Sequence, residues 1–377
     1  MKLIKTLAGV ATIATLFAVP AVQAEVTLYG VVDVGVAYQS VNPGDNFVNS
    51  GNKSQFAMAS GQQSGSRWGI KGVEDLGNGL SANFVYESAV NVANGTSTGF
   101  TRQSTLGLAS KKYGALDLGR RTTPSTVAFS GIDPFGQSFG TASLDSSMGS
   151  TFMRLSNMVM YTSPTFSGFS GSVGYSFDAG QDVYGTPEGE SFGTSNKTRA
   201  ASLGLRYGNG PLLVAFAYDQ IMPADVAGKA SANVKSWNLG STYDFKVAKL
   251  HAAYGQSIDG LIEGTDTLGN ANFTGGDTNT NGGTLFYPGA RTQSWMLGVS
   301  APVGAATSVF GSVQQMLPGG DFKTVLNTST QTVASVGATY SLSKRTNVYA
   351  YYSYMDNVAM LSGATSSTLG VGMRHLF

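Results

Sequence analysis

Few side chains in this 377-residue sequence are suited to bond-making chemistry. Histidine occurs only as His251 and His375, and cysteine is absent. The two histidines lie on separate predicted strands, so a metal site or a catalytic triad built on them is not expected, and without cysteine there is neither a thiolate nor a disulfide. The stretch 95–99 matches a nucleophile-elbow pattern, but it lies in a polar loop instead of between a buried strand and a helix. The sequence therefore predicts no enzyme, no catalytic residue and no cofactor.

One stretch has the spacing of a cation-binding loop. Asp277 to Gly282 resembles the start of a calcium loop, but the twelfth position, where a bidentate glutamate is needed, is Pro288. We predict ordinary loop chemistry and no dedicated metal site, with a weak cation site as the open alternative.

The informative side chains are ionic and lie around one long connection, residues 121–155. Alternation with apolar neighbours places Arg67 on the polar face of its strand, while Arg154 begins the strand after the connection and Asp133 lies within it. The same alternation would turn Arg102 towards lipid or a subunit interface. Arginines opposed to acids across a water-filled passage would create a transverse field that tunes ion preference. The alternative is that these are solvated loop and rim charges.

Strands are the elements that must position these charges. Period-two patterns rich in aromatic and β-branched residues predict strands, with boundaries uncertain by about two to four residues. Sixteen segments fit, near 25–38, 66–74, 79–88, 102–110, 114–120, 156–163, 168–177, 197–207, 212–220, 233–243, 247–256, 291–300, 305–316, 331–340, 345–355 and 367–377.

Short and long connections alternate between these segments, and long loops are expected at 39–65 and 257–290 among others. An even number of strands with this alternation is typical of a transmembrane β-barrel. The fold class predicted is all-β, a 16-stranded antiparallel transmembrane β-barrel. Its lumen would be too wide for wall side chains to fill, so the third long loop is expected to fold inward.

Composition agrees with a membrane barrel. Charged residues make up 12% of the chain, about half of what is usual in a soluble domain, and glycine accounts for 50 residues. A soluble β-solenoid or sandwich is the rival fold. The 23 basic and 22 acidic residues leave no basic excess, so a nucleic-acid partner is not expected.

The first 24 residues have the pattern of a secretory signal peptide. Lys2 and Lys5 precede a short apolar run, and Val22-Gln23-Ala24 suits cleavage. We expect a mature chain of residues 25–377 that forms a single transmembrane domain.

The final strand suits a wall between lipid and water. Leu369, Val371, Met373 and Phe377 share one face, with Thr368 on the opposite one. We expect this strand to pair with earlier strands and close the barrel, because an open edge is costly in a membrane.

Several stretches resemble the general porins of Gram-negative outer membranes, in particular the β-proteobacterial type. They are 27–33, 66–80, 102–108, 118–120, 133–136 and 157–164, with the terminal Phe377. The resemblance implies a homotrimeric channel in the outer membrane that passes ions and small hydrophilic solutes passively, among lipid and lipopolysaccharide. It also implies that the third loop folds into the pore and that the terminal aromatic is recognised by the outer-membrane assembly machinery.

The same resemblance assigns the pore constriction to Arg67, Arg102, Arg154 and Asp133. For Arg102 it conflicts with strand alternation, and we follow the resemblance. A substrate-specific channel and a structural or adhesive barrel remain alternative functions.

Overall fold

The protein is a closed antiparallel β-barrel in a computed structural model that describes residues 25–42, 53–184, 193–225, 232–262, 284–325 and 328–377. The predicted signal peptide lies outside the described residues. The strands are β1 (Glu25–Asn42), β2 (Lys53–Ser60), β3 (Arg67–Gly77), β4 (Leu80–Asn91), β5 (Thr96–Ser97), β6 (Gln103–Ser110), β7 (Gly114–Thr122), β8 (Arg154–Thr162), β9 (Phe169–Ser176), β10 (Arg199–Asn209), β11 (Leu212–Met222), β12 (Val234–Asp244), β13 (Lys249–Ile262), β14 (Thr284–Val303), β15 (Thr307–Gly320), β16 (Gln331–Ser341), β17 (Thr346–Asp356) and β18 (Thr365–Leu376).

Helices are few and short in the described part of the chain. The α-helices are α1 (Pro124–Phe129), α2 (Gly180–Tyr184) and α3 (Phe322–Val325), and the 3-10 turns are Gly140–Ala142, Leu144–Ser146, Thr194–Asn196 and Val358–Met360. None of the helices in the described ranges is long and apolar enough to span a bilayer.

Sixteen of the strands form the barrel wall, as predicted. Each pairs antiparallel with the next, and β18 pairs with β1 to close the ring; β2 and β5 are additional pieces that pair beside β1 and β4. At the closure, Gly30 and Phe377 exchange two backbone hydrogen bonds of 3.1 Å each. Closure leaves the wall without an open strand edge, which is what a lipid environment requires.

The outer face of the wall is apolar. In β18, Leu369, Val371 and Met373 are 50%, 44% and 48% exposed, whereas the intervening Thr368 is 9% exposed. Large apolar side chains this exposed at every second position are suited to contact with lipid. The predicted period-two pattern of the final strand is therefore found in the structure.

The first connection contains more strand than predicted. β1 continues to Asn42, and β2 pairs with its upper half, from Val41 opposite Lys53 to Val34 opposite Ser60. The residues predicted as loop 39–65 thus include a strand, because the upper edge of β1 needs hydrogen-bond partners that β3 does not reach. A short link, residues 61–66, joins β2 to β3.

The third long connection, residues 123–153, contacts the face of the wall opposite to the exposed apolar side chains. Its polar contacts extend from β10 to β16. They are Ser125 Oγ to Ser202 Oγ (3.2 Å), Asn238 Nδ2 to Gly149 O (2.8 Å), His251 Nδ1 to Ile132 O (2.8 Å), Gln314 Nε2 to Ala142 O (3.1 Å) and Gln331 Nε2 to Ser146 O (2.6 Å).

Glycine in the wall makes room for this connection. A Cβ on Gly204 would lie 2.2 Å from Pro124 O, and one on Gly240 would lie 2.6 Å from Ile132 Cγ2. Both separations are far below van der Waals contact, so the backbone of the connection approaches the wall as closely as it does only because these positions lack a side chain.

The middle of the connection is held by aromatic rings. The Phe139 ring packs on Tyr349 and Tyr351 of β17 with centroid distances of 5.6 and 5.2 Å, and on Phe310 at 5.4 Å. Its backbone N–H donates to the carbonyl oxygen of Gln62 in the 61–66 link at 2.7 Å. The connection is therefore attached to the wall at both ends and along its length.

Candidate pore constriction

Two of the predicted arginines share one carboxylate. Arg67 Nε lies 3.4 Å from Oε2 of Glu87, and Arg102 Nε lies 2.7 Å from Oε1 of the same residue. Tyr29 Oη donates a further hydrogen bond of 3.1 Å to Glu87. Because all four side chains are only partly exposed, these bonds fix the directions of both guanidinium groups.

Glu87 was not among the residues singled out from the sequence. It lies on β4 opposite Gly69 of β3 and Gln103 of β6. Because successive side chains of a strand point to opposite faces, the exposed Tyr86 indicates that Glu87 lies on the inner face of β4. Its choice of arginine partners depends on cross-strand register, which residue spacing does not fix.

The conflict over Arg102 is resolved by the position of the strand end. The residue precedes β6, which begins at Gln103, and its backbone N–H donates to Glu87 O at 3.1 Å. Alternation applies only inside a strand, so the side chain is free to turn to Glu87. Strand alternation alone would turn Arg102 towards lipid or a neighbouring subunit, but its side chain contacts Glu87.

Arg154 belongs to the same charged group but has no carboxylate of its own. It interacts electrostatically with Arg102, Arg67 and Glu87. Its guanidinium carbon lies 5.1 Å from the ring centroid of Phe152. Among the described residues no carboxylate oxygen lies within 4.0 Å of it, so its positive charge is not neutralised by a direct ion pair.

Asp133 is not with the arginines; it is inside the third connection and 5% exposed. Its carboxylate accepts hydrogen bonds from the backbone N–H groups of Phe135, Gln137 and Leu144 at 2.9, 2.9 and 3.0 Å, and from Ser143 Oγ at 3.2 Å. Burial raises the pKa of this carboxyl above its usual value, and the donated hydrogen bonds oppose that rise. Asp133 therefore organises the loop from within, and no ion pair among the described residues joins it to the three arginines.

The group Arg67, Arg102, Arg154 and Glu87 has a net formal charge of +2 at neutral pH. Such a patch attracts anions and repels cations when it faces a water-filled passage. Within the described ranges no cluster of three or more histidine, cysteine, aspartate or glutamate side chains is arranged for a metal. The calcium-like stretch at Asp277 lies outside the described residues.

A closed barrel with an apolar outer face and a charged inner patch defines a class, the transmembrane β-barrel channels. Comparisons with known proteins support the same class. The model of the Gram-negative porin family matches residues 9–359. The chain belongs to the Gram-negative porin family.

Relatives and solved structures support the same family along nearly the whole chain. An outer membrane porin protein of Bordetella pertussis is 42% identical, with 99% of this chain and 100% of the relative covered. Outer membrane porin protein 32 of Delftia acidovorans is 31% identical, with 94% and 89% covered. The solved anion-selective porin from Comamonas acidovorans is similar with a TM-score of 0.69 and 25% identity, covering 94% of this chain and 100% of that one.

The family and the barrel together give the location and the kind of protein. The chain is a multi-pass porin of the outer membrane of a Gram-negative bacterium. It is a channel and not an enzyme, as the sequence predicted.

Proposed function

We propose that this porin passes ions and small hydrophilic solutes passively through a lumen narrowed by residues 123–153, with a weak preference for anions. The observation that carries the proposal is the set of contacts from β10 to β17 that holds this connection against the non-lipid face of the wall. A segment held there occupies part of the lumen, so it sets the size limit for solutes. No bond is made or broken in transport.

The ion preference follows from the arginine patch. Arg67 and Arg102 share the carboxylate of Glu87, and Arg154 has no direct ion pair in the described part of the chain. The carboxylate of Asp133 accepts hydrogen bonds from its own loop. Asp133 therefore does not balance the positive charge of these arginines through a direct ion pair. The similar Comamonas acidovorans porin is described as anion-selective, which supports the same preference here.

The four predicted constriction residues accordingly divide into two roles. Arg67, Arg102 and Arg154 would line the passage and act on ions through their field. Asp133 would act through the shape of the loop. Because Asp133 touches no arginine of the patch, its removal should alter pore size before it alters selectivity.

We also propose a homotrimer as the assembled form. A Vibrio cholerae OmpT structure with a TM-score of 0.63 and 16% identity is described in a trimer form. Residues 1–24 would be removed as a signal peptide, which predicts Glu25 as the first residue of the purified protein. Further partners would be lipid and lipopolysaccharide around the barrel and the assembly machinery that recognises Phe377.

Planar-bilayer recording of the purified protein tests the proposed function. Ohmic steps that do not saturate with solute concentration are expected, whereas block by one sugar or organic acid at low concentration would indicate a substrate-specific channel. If the folded protein gave no conductance, a structural or adhesive role would replace the proposal.

The reversal potential in a salt gradient tests the role of Arg154. Arg154→Ala lowers the formal charge of the patch from +2 to +1, so we expect the anion preference to decrease. Arg345→Ala is the matched control, because Arg345 is exposed in the short turn between β16 and β17. Equal reversal potentials for Arg154→Ala and wild type would remove Arg154 from the constriction.

A further inference from the structure

A fourth arginine, Arg120, lies next to the patch and is held by an acid from a different part of the chain. It belongs to β7 and interacts electrostatically with Arg154. Its Nη1 forms an ion pair with Asp182 Oδ1 and donates to Ser156 Oγ at 2.8 Å. Its Nε donates to the carbonyl oxygen of Thr101. The strand register shifts between Gly119 and Arg121, so simple alternation does not predict where this side chain points.

Asp182 belongs to α2, which lies in the fourth long connection, the one between β9 and β10. Ala179 N donates to the carbonyl oxygen of Thr198, directly before β10, at 2.7 Å, which attaches the segment to the barrel. Within the segment, Asp182 N donates to Ala179 O at 3.0 Å and forms the first turn of the helix. Ala179 and Val183 are 0% and 1% exposed and pack in a hydrophobic cluster with Met158. The carboxylate is thus held by packing of its own segment as well as by its partners.

The second carboxylate oxygen of Asp182 is also used. Oδ2 accepts the backbone N–H of Ser156 at 2.6 Å, so the carboxylate bridges Arg120 and the beginning of β8, two residues after Arg154. The side chain of Asp182 is 7% exposed and that of Arg120 is 26% exposed. An ion pair this shielded from bulk solvent is weakened little by dissolved salt.

We infer that Asp182 is a specificity-determining residue of this porin: it neutralises Arg120 and so limits the net positive charge at the constriction. This inference rests on the proposed function. Arg67, Arg102, Arg120 and Arg154 would carry a formal charge of +4, which Glu87 and Asp182 reduce to +2. The fourth long connection would then moderate an anion preference that the wall arginines create.

The geometry separates a role in selectivity from a role in holding the barrel together. If the Asp182 carboxylate becomes an amide, Arg120 keeps its bonds to Ser156 Oγ and Thr101 O. An asparagine oxygen can also still accept the Ser156 N–H. The guanidinium should therefore stay in place while one negative charge disappears.

The test is the reversal potential of the purified, assembled protein in a potassium chloride gradient. Asp182→Asn should raise the anion-to-cation permeability ratio about two- to fivefold, the effect of one unit charge acting through water over roughly 8 Å. Arg120→Gln should lower the ratio by a similar factor. The double variant should return close to the wild-type ratio, because it removes one charge of each sign.

Asp244→Asn serves as the matched control. Asp244 is also paired with a base, Lys249 at 3.7 Å, but the pair is exposed at the end of β12 beside a short turn. Its ratio should equal that of the wild type.

The outcomes distinguish this inference from the proposed function. Absence of conductance in the wild type would overturn the proposed function. Normal conductance with an unchanged ratio in Asp182→Asn and Arg120→Gln would overturn the inference alone. A fall in conductance or melting temperature without opposite shifts of the ratio in the two single variants would make the pair structural only, which also overturns it.

Discussion

Replacing Asp133 by alanine should loosen the third connection without unfolding the barrel. The substitution leaves the backbone N–H groups of Phe135, Gln137 and Leu144 and the hydroxyl of Ser143 without their acceptor. A buried donor without a partner costs about 1–3 kcal/mol, so the buried N–H groups of Phe135 and Leu144 alone amount to at least about 2 kcal/mol. The loop can recover part of this loss only by opening towards water.

The barrel wall should not share this loss. Its strands are joined by backbone hydrogen bonds that do not involve Asp133, and the closure between β1 and β18 lies elsewhere. We therefore expect an unchanged melting temperature for the barrel, a larger and noisier single-channel conductance, and new protease cleavage within residues 123–153. These three measurements separate a local change from a global one.

Ser143→Ala is the matched control for this prediction. It removes one of the four donors to the same carboxylate, at about 1.5–3 kcal/mol for a hydrogen bond to a charged group. The three backbone donors keep their acceptor, so the conductance should stay close to wild type. If Asp133→Ala had wild-type conductance and resisted protease as the wild type does, the shape of the loop would be set by its wall contacts, and the role assigned to Asp133 would be wrong.

Two further substitutions test the contacts that hold the closure and the third connection. Gly30→Val should lower the melting temperature of the assembled protein and its yield, because a Cβ there would lie 2.2 Å from Phe377 Cζ and overpacking costs about 1–3 kcal/mol. Gly208→Val is the matched control, because Gly208 is an exposed strand glycine without a positive φ and a Cβ there would meet no atom within 4 Å. Phe139→Ala should remove the ring contacts with Tyr349 and Tyr351, at about 3–5 kcal/mol, and broaden the distribution of single-channel conductances. A narrow, wild-type distribution would show that this ring does not secure the loop.

The barrel could be predicted from the sequence because its information is local. Alternation within each strand defines the two faces, and Leu369, Val371 and Met373 show the outer one in β18 as expected. A short turn between two successive strands makes them antiparallel neighbours in the wall. Neither property requires knowledge of distant contacts, so the number of strands and the antiparallel order followed directly.

The constriction was less predictable because its contacts are long-range. Glu87 pairs with Arg67 and Arg102 through register across three strands, and spacing along the chain does not contain that register. Asp182 reaches Arg120 from a separate connection. Asp133 was expected to oppose the arginines, but its own loop supplies four donors, and nothing in its immediate sequence distinguishes the two environments.

The seam between β1 and β18 has a consequence for the time course of folding. Val31 lies opposite Leu376, so the first and last wall strands meet only after almost every residue between them is available. Contacts this distant in sequence form slowly, and until they form both edge strands remain open to other chains. Biogenesis of this barrel should therefore include a long-lived, aggregation-prone intermediate whose edges must be shielded, and substitutions at the seam should slow closure in addition to weakening the closed barrel.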